Sequence, residues 1–181
     1  MSFRHIATLL LSWLLTFNAA AVQPNIVFVL ADDLGWNDIG YHNPGVLTPN
    51  LDQISRDGVR LDNFHVHPMC TPTRAAFMTG KPASLVGLAD SVLSPWSTKS
   101  LGLDEVTIAQ RLQRNGYFTA IVGKWNLGHD KPAHRPLQRG FDYQFGPYTA
   151  ELEYTDHTIP TTGVPDLFRQ ERPVRVEGYL T

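Results

Sequence analysis

The run Asn25-Ile26-Val27-Phe28-Val29-Leu30, closed by Ala31-Asp32-Asp33, narrows the choice of fold more than any other feature of this chain. It is apolar on both faces, so it suits a strand in a sheet covered by helices on each side, as parallel sheets are. A second such run, Phe118 to Val122, leads directly into Gly123-Lys124-Trp125. Helical signals lie between the two. Thr48-Pro49 reads as a cap and first turn, with Leu51 and Ile54 on one face and Gly58 as the stop. A second helix is predicted from about Thr73 to Thr79, ending at Gly80. A third is capped by Asp104, carries Ile108 and Leu112 on one face and ends at Gly116. Val59 to Val66 alternates loosely, as a strand does. The predicted class is therefore α/β, a mostly parallel sheet flanked by helices. No closing element is predicted after Pro147.

The first residues stand apart from this pattern. Arg4 and His5 precede an apolar run from Ile6 to Phe17, followed by the small residues Ala19-Ala20-Ala21. That order predicts a secretory signal peptide over residues 1–22 and a mature chain over 23–181. The run is shorter than the roughly 20 residues a spanning helix needs, so no membrane span is predicted. Export to the periplasm, the extracellular space or a lysosome follows. With 15 basic residues against 17 acidic ones, the chain offers no electrostatic reason to expect a nucleic acid. An exported chain usually pairs its cysteines, yet Cys70 is alone.

Four groups of residues carry possible chemistry. Asp32 and Asp33 fall at the C-terminal end of the first predicted strand, where open α/β sheets place ligands. Adjacent carboxylates are either solvated in a turn or share a cation, and the dipeptide alone favours the turn. Cys70-Thr71-Pro72-Thr73-Arg74 opens a predicted helix, whose free N–H groups attract anions, and Arg74 adds a fork suited to a tetrahedral oxyanion. Lys124, at the end of the second predicted strand, is delivered to the same sheet edge as the two aspartates. By itself it reads sooner as a surface lysine. His65 and His67 share one strand face and are candidate metal ligands, although such pairs are more often not.

Taken together, these segments resemble the type I sulfatases of the alkaline-phosphatase-like superfamily. The resemblance runs from Pro24 to about Tyr148, through Pro24 to Gly35, Thr48-Pro49-Asn50-Leu51-Asp52, Cys70-Thr71-Pro72-Thr73-Arg74, Gly123-Lys124-Trp125 and Arg139-Gly140-Phe141-Asp142. It implies a sulfuric ester hydrolase in which a separate maturation enzyme oxidises Cys70 to formylglycine, which accounts for the solitary cysteine. It also implies that Asp32, Asp33 and residue 70 contact a divalent cation, calcium by the hardness of oxygen donors. Arg74 and Lys124 would hold the oxygens of a sulfate ester, aryl or carbohydrate. His65 and His67 are not ligands in that family. Two other readings stay open: a phosphatase or phosphonate hydrolase of the same superfamily, and an inactive fragment that binds sulfated glycans.

Two departures from the family pattern bear on activity. Where the family reads Gly-Lys-Trp-His-Leu-Gly, this chain has Asn126, counted here among the catalytic candidates. The family's histidine is credited with removing a proton as sulfate is eliminated, and an amide has no basic lone pair for that task near neutral pH. Elimination is therefore expected to be slow and a sulfated enzyme to accumulate. Intact mass after mixing with an activated aryl sulfate should show an adduct of about 80 Da, and fast turnover without it would overturn the expectation. His129, three residues on, is a possible substitute. The second departure is length: family enzymes run to several hundred residues, and a later Asp-Asn pair, Lys and His have no counterpart before Thr181. The chain is thus expected to be the N-terminal part of a catalytic domain, exposing sheet surface that the remainder covers.

Overall fold

The computed structural model describes residues 23–90 and 92–180, so the predicted leader lies outside the described residues. The chain divides into two compact units, Met1–Asp52 and Gln53–Thr181. Helix α1, Pro49–Asp57, contains that boundary. It begins at a proline and stops where the Gly58 N–H bonds the Ile54 carbonyl, as predicted. Thr48 supports its start indirectly: its hydroxyl donates to Asp52 Oδ1 at 3.0 Å and accepts from the Gly40 N–H at 2.7 Å.

Helix α2, Cys70–Thr79, begins three residues earlier than predicted, directly at the cysteine. Pro72 is no obstacle there, because the first turn has no intrahelical acceptors for its N–H groups. Thr71, Pro72, Ala75 and Met78 form the buried face, the spacing of one helical stripe. Gly80 takes a left-handed conformation with φ 69° and closes the helix onto the Ala76 carbonyl. Helix α3, Ile108–Arg114, is capped by Thr107 and not, as expected, by Asp104. The Thr107 hydroxyl accepts from the Gln110 N–H at 3.1 Å while Gln110 Oε1 accepts from the Thr107 N–H at 2.9 Å, a reciprocal box that Asp104 is too early to make. The same hydroxyl donates to the Arg139 carbonyl at 2.7 Å. Thr107→Val should thus cost about 1–3 kcal/mol, read as a lowered thermal midpoint.

The sheet has the order β1-β2-β3-β4, with β1 Ala120–Val122, β2 Tyr143–Gly146, β3 Phe168–Arg169 and β4 Arg172–Pro173. Strands β1 and β2 are parallel, with Ala120 opposite Tyr143 and Val122 opposite Phe145. The other two pairings are antiparallel. The α/β class is as expected, but the described sheet is mixed, its one parallel pair joined by a hairpin after Pro147 that the sequence did not announce. That hairpin turns at Gln170 and Glu171, both at positive φ (49° and 62°), where asparagine or glycine is the usual signal.

Two expected strands are absent among the described residues. Asn25 to Leu30 forms no strand, and Val27 and Val29 are 86% and 82% exposed. Apolar composition specifies burial, and a strand forms only where a neighbour offers its ladder. Val59 to Val66 likewise forms no strand, with Val59 and Phe64 exposed. The Phe118–Val122 run is a strand only from Ala120, and its position at the end of the described sheet leaves Val122 exposed.

The core gathers Ala75, Met78, Leu88, Leu93, Leu101, Ala109, Trp125, Leu127 and Tyr148, packing α2 and α3 with the segment that follows β1. Arg139-Gly140-Phe141-Asp142 braces this core from one side. The Arg139 guanidinium, buried, donates to the carbonyls of Gly102 (3.0 Å) and Glu105 (2.7 Å). Asp142 accepts from the Thr119 N–H (2.8 Å), the Thr119 hydroxyl (3.0 Å) and Gln113 Nε2 (2.7 Å), and these bonds hold its carboxyl below the ordinary range.

Candidate active site

Cys70 is the first residue of α2, half-buried and in no disulfide. Met69 before it is extended, with φ −141°, so the chain enters the helix abruptly and the first-turn N–H groups stay outside the helical ladder. Their dipoles favour negative charge beside residue 70. One turn further, Arg74 Nη1 donates to the Lys124 carbonyl at 2.5 Å. That bond joins the helix carrying the cysteine to the segment carrying the lysine.

Lys124 owes its place to the parallel pairing of β1 and β2, which continues beyond the end of β1. The N–H groups of Gly123, Trp125 and Asn126 bond the carbonyls of Phe145 (2.8 Å), Pro147 (3.0 Å) and Tyr148 (3.0 Å). Gly146 makes the close approach possible: at φ 144° its missing Cβ would lie 2.2 Å from the Gly123 oxygen. Asp166 anchors the accepting segment through the N–H groups of Tyr148 (3.2 Å) and Thr149 (2.9 Å) and the Thr149 hydroxyl (2.6 Å). Burial raises the Asp166 carboxyl and pushes the Tyr148 phenol up to about 12.

Asn126, 1% exposed, adopts φ 55°, a left-handed conformation that asparagine tolerates better than most residues. Its Oδ1 accepts from the Thr71 hydroxyl at 2.6 Å and its Nδ2 donates to the Leu93 carbonyl at 3.0 Å. His129, the possible substitute base, lies with Nε2 2.8 Å from the Pro95 carbonyl, an arrangement that requires the proton on that nitrogen. The Arg74–Lys124 and Thr71–Asn126 bonds thus tie the start of α2, which carries Cys70, to the segment after β1 within the second unit.

Asp32 and Asp33 lie in the first unit, both exposed, with Asp33 at φ 56°. As hard oxygen donors they fit calcium by type. Two carboxylates fall well short of the six to eight oxygens it takes, and no three His, Cys, Asp or Glu side chains among the described residues form a metal cluster. The donor set is incomplete in these residues. His65 Nε2 lies 2.8 Å from Asn63 Oδ1, and the His67 carbonyl accepts from the Thr73 hydroxyl at 2.9 Å. The residues that sequence reasoning passed over are Thr71 and Leu93. Thr71 occupies an unspecified position of its motif, and Leu93 contributes only its peptide group, so neither carries a chemical signal in the sequence.

Comparison with known proteins identifies the family. The Sulfatase family model matches residues 24–170. Arylsulfatase J of Mus musculus is 42% identical over 139 residues, covering 77% of this chain and 23% of that protein. Arylsulfatase A of Bos taurus is 47% identical over 135 residues, covering 72% and 27%. Among solved structures, the crystal structure of Ps i-CgsB superposes with a TM-score of 0.80 at 30% identity, over 88% of this chain and 39% of that one, and a structure of Ps i-CgsB in complex with k-i-k-neocarrahexaose is also similar. The chain belongs to the sulfatase family, with the alkaline-phosphatase-like fold of its structural neighbours. It spans about a quarter of the length of the curated relatives named here. No described helix is long and apolar enough to cross a membrane.

Proposed function

We propose that this chain carries the nucleophile-bearing and sulfate-holding part of a sulfuric ester hydrolase, exported and matured by oxidation of Cys70 to formylglycine by a separate enzyme. The observation that carries the reading is the junction at α2: the cysteine is the helix's first residue, and Arg74 bonds the backbone of Lys124. Helix N-terminus, guanidinium and ammonium together offer donors and positive charge to a tetrahedral dianion or its ester. Arg74 and Lys124 would bind the sulfate oxygens and favour the charge that builds on them as the S–O bond to the alcohol breaks. Formylglycine, as its hydrate, supplies a nucleophilic hydroxyl and a second hydroxyl through which sulfate is released. Asp32 and Asp33 are proposed as part of the ligand set of a divalent cation, calcium by donor type. The substrate is proposed to be a sulfate ester of an aryl or carbohydrate alcohol, the classes to which the relatives' names and the neighbour's bound oligosaccharide point.

One measurement pair tests this. Peptide mass spectrometry across position 70, on protein exported by its native host, should show about 18 Da less than unmodified cysteine. The same material should cleave sulfate esters in preference to phosphate esters. An ordinary thiol in protein that still cleaves them overturns the formylglycine assignment. A preference for phosphate moves the chain to the phosphatase or phosphonate hydrolase branch, and binding of sulfated glycans without cleavage makes it a recognition module.

A further inference from the structure

Directly behind residue 70 lies a closed ring of hydrogen bonds that no motif of the sequence announces. The Leu93 N–H donates to Thr71 Oγ1 at 3.0 Å, the Thr71 hydroxyl donates to Asn126 Oδ1 at 2.6 Å, and Asn126 Nδ2 donates to the Leu93 carbonyl at 3.0 Å. The directions are forced. A peptide N–H only donates and a peptide carbonyl only accepts, so the amide of Asn126 has one permitted orientation and the Thr71 proton one destination. All three residues are buried, at 0% (Thr71), 3% (Leu93) and 1% (Asn126) exposure, so water does not compete for these bonds. The ring ties α2 to two segments that are 22 and 55 residues away in the chain.

We propose that Thr71 is a positioning residue for the group at position 70. It shares a peptide bond with that residue, and its hydroxyl fixes this part of the α2 first turn against the Leu93 peptide and the segment that carries Lys124. The direction of the residue 70 side chain relative to Arg74 and Lys124 is set by this hydroxyl without its touching substrate. The proposal rests on the sulfatase reading given above and deepens it. Its signature is loss of rate without loss of substrate affinity, because the sulfate-holding cations are untouched.

The test uses the full protein as exported by its host, with the converted fraction of residue 70 measured by mass spectrometry so that maturation and turnover are read separately. Per converted site, Thr71→Val should lower kcat by about 10- to 100-fold with KM changed less than about 2-fold, the penalty of a misplaced reacting group. Thr71→Ser, which keeps the hydroxyl, should restore kcat to within about 3-fold of the parent. If Thr71→Val is not recovered folded, Thr71→Ala takes its place with the same expectation. Unchanged kcat in the hydroxyl-free variant overturns the proposal, as does a serine variant as slow as it, which would show that the methyl group matters and not the hydroxyl. A parent that carries formylglycine but cleaves no sulfate ester, or carries none, defeats the underlying reading instead.

Discussion

Cys70→Ala is expected to abolish ester hydrolysis, by at least about 10⁴-fold in kcat, while leaving the fold intact. The buried stripe of α2 is made by Thr71, Pro72, Ala75 and Met78, and Cys70 stands at its half-buried beginning, so the loss of one sulfur atom removes little packing. Arg74 keeps its bond to the Lys124 carbonyl in this variant, and sulfate binding should survive. Activity of the parent and variant, each checked for folding by near-ultraviolet circular dichroism and for inorganic sulfate binding by calorimetry, decides the matter. Hydrolysis within about tenfold of the parent would remove residue 70 from the reaction. Loss of sulfate binding along with turnover would mean that the cations depend on the nucleophile for their placement.

Gly146→Ala is expected to be the most damaging of the conservative changes outside the nucleophile. The added Cβ would lie 2.2 Å from the Gly123 oxygen and 2.6 Å from the Gly123 carbonyl carbon, both backbone atoms, and the φ of 144° is one that alanine resists. Neither strand can yield without opening β1 from β2 at the point where the pairing passes into Lys124 and Asn126. A destabilisation of about 3–5 kcal/mol follows from combined overpacking and backbone strain. Gly163→Ala provides the contrast: its φ is also positive, at 67°, but no atom lies within 4 Å of the added carbon, and the cost should stay near 1 kcal/mol. Denaturant unfolding of the two variants side by side measures the difference. Equal midpoints would mean that the strands separate freely at Gly146.

The parts of the structure that were legible in the sequence are those written in local chemistry. Gly58 and Gly80 stop their helices because a helix needs a terminator, and the motif around Cys70 lies at a helix start. The Phe118–Val122 run does deliver Lys124, although only its last three residues pair. What was illegible depends on partners far along the chain. Val27 and Phe28 have a strand's composition, yet pairing is a property of two segments, and composition alone does not supply the second. Thr107 prevailed over Asp104 because Gln110 could answer it, a choice of three residues that apolar spacing does not resolve. The short hairpin of β3 and β4 has two residues per strand, too few for any period to show. The ring at Thr71 escaped notice for a similar reason: one of its three members is a peptide group, which every residue has.

Asn126 answers to two demands that are seldom combined. Its backbone torsion excludes β-branched residues and disfavours nearly all others, and its carboxamide must offer one lone pair and one N–H at a fixed separation. Aspartate accepts the torsion but, ionised, turns a second oxygen on the Leu93 carbonyl; glycine accepts the torsion and leaves both neighbours bare. Libraries aimed at faster turnover therefore have few viable letters at this position, and diversity placed there will mostly sample unfolded protein.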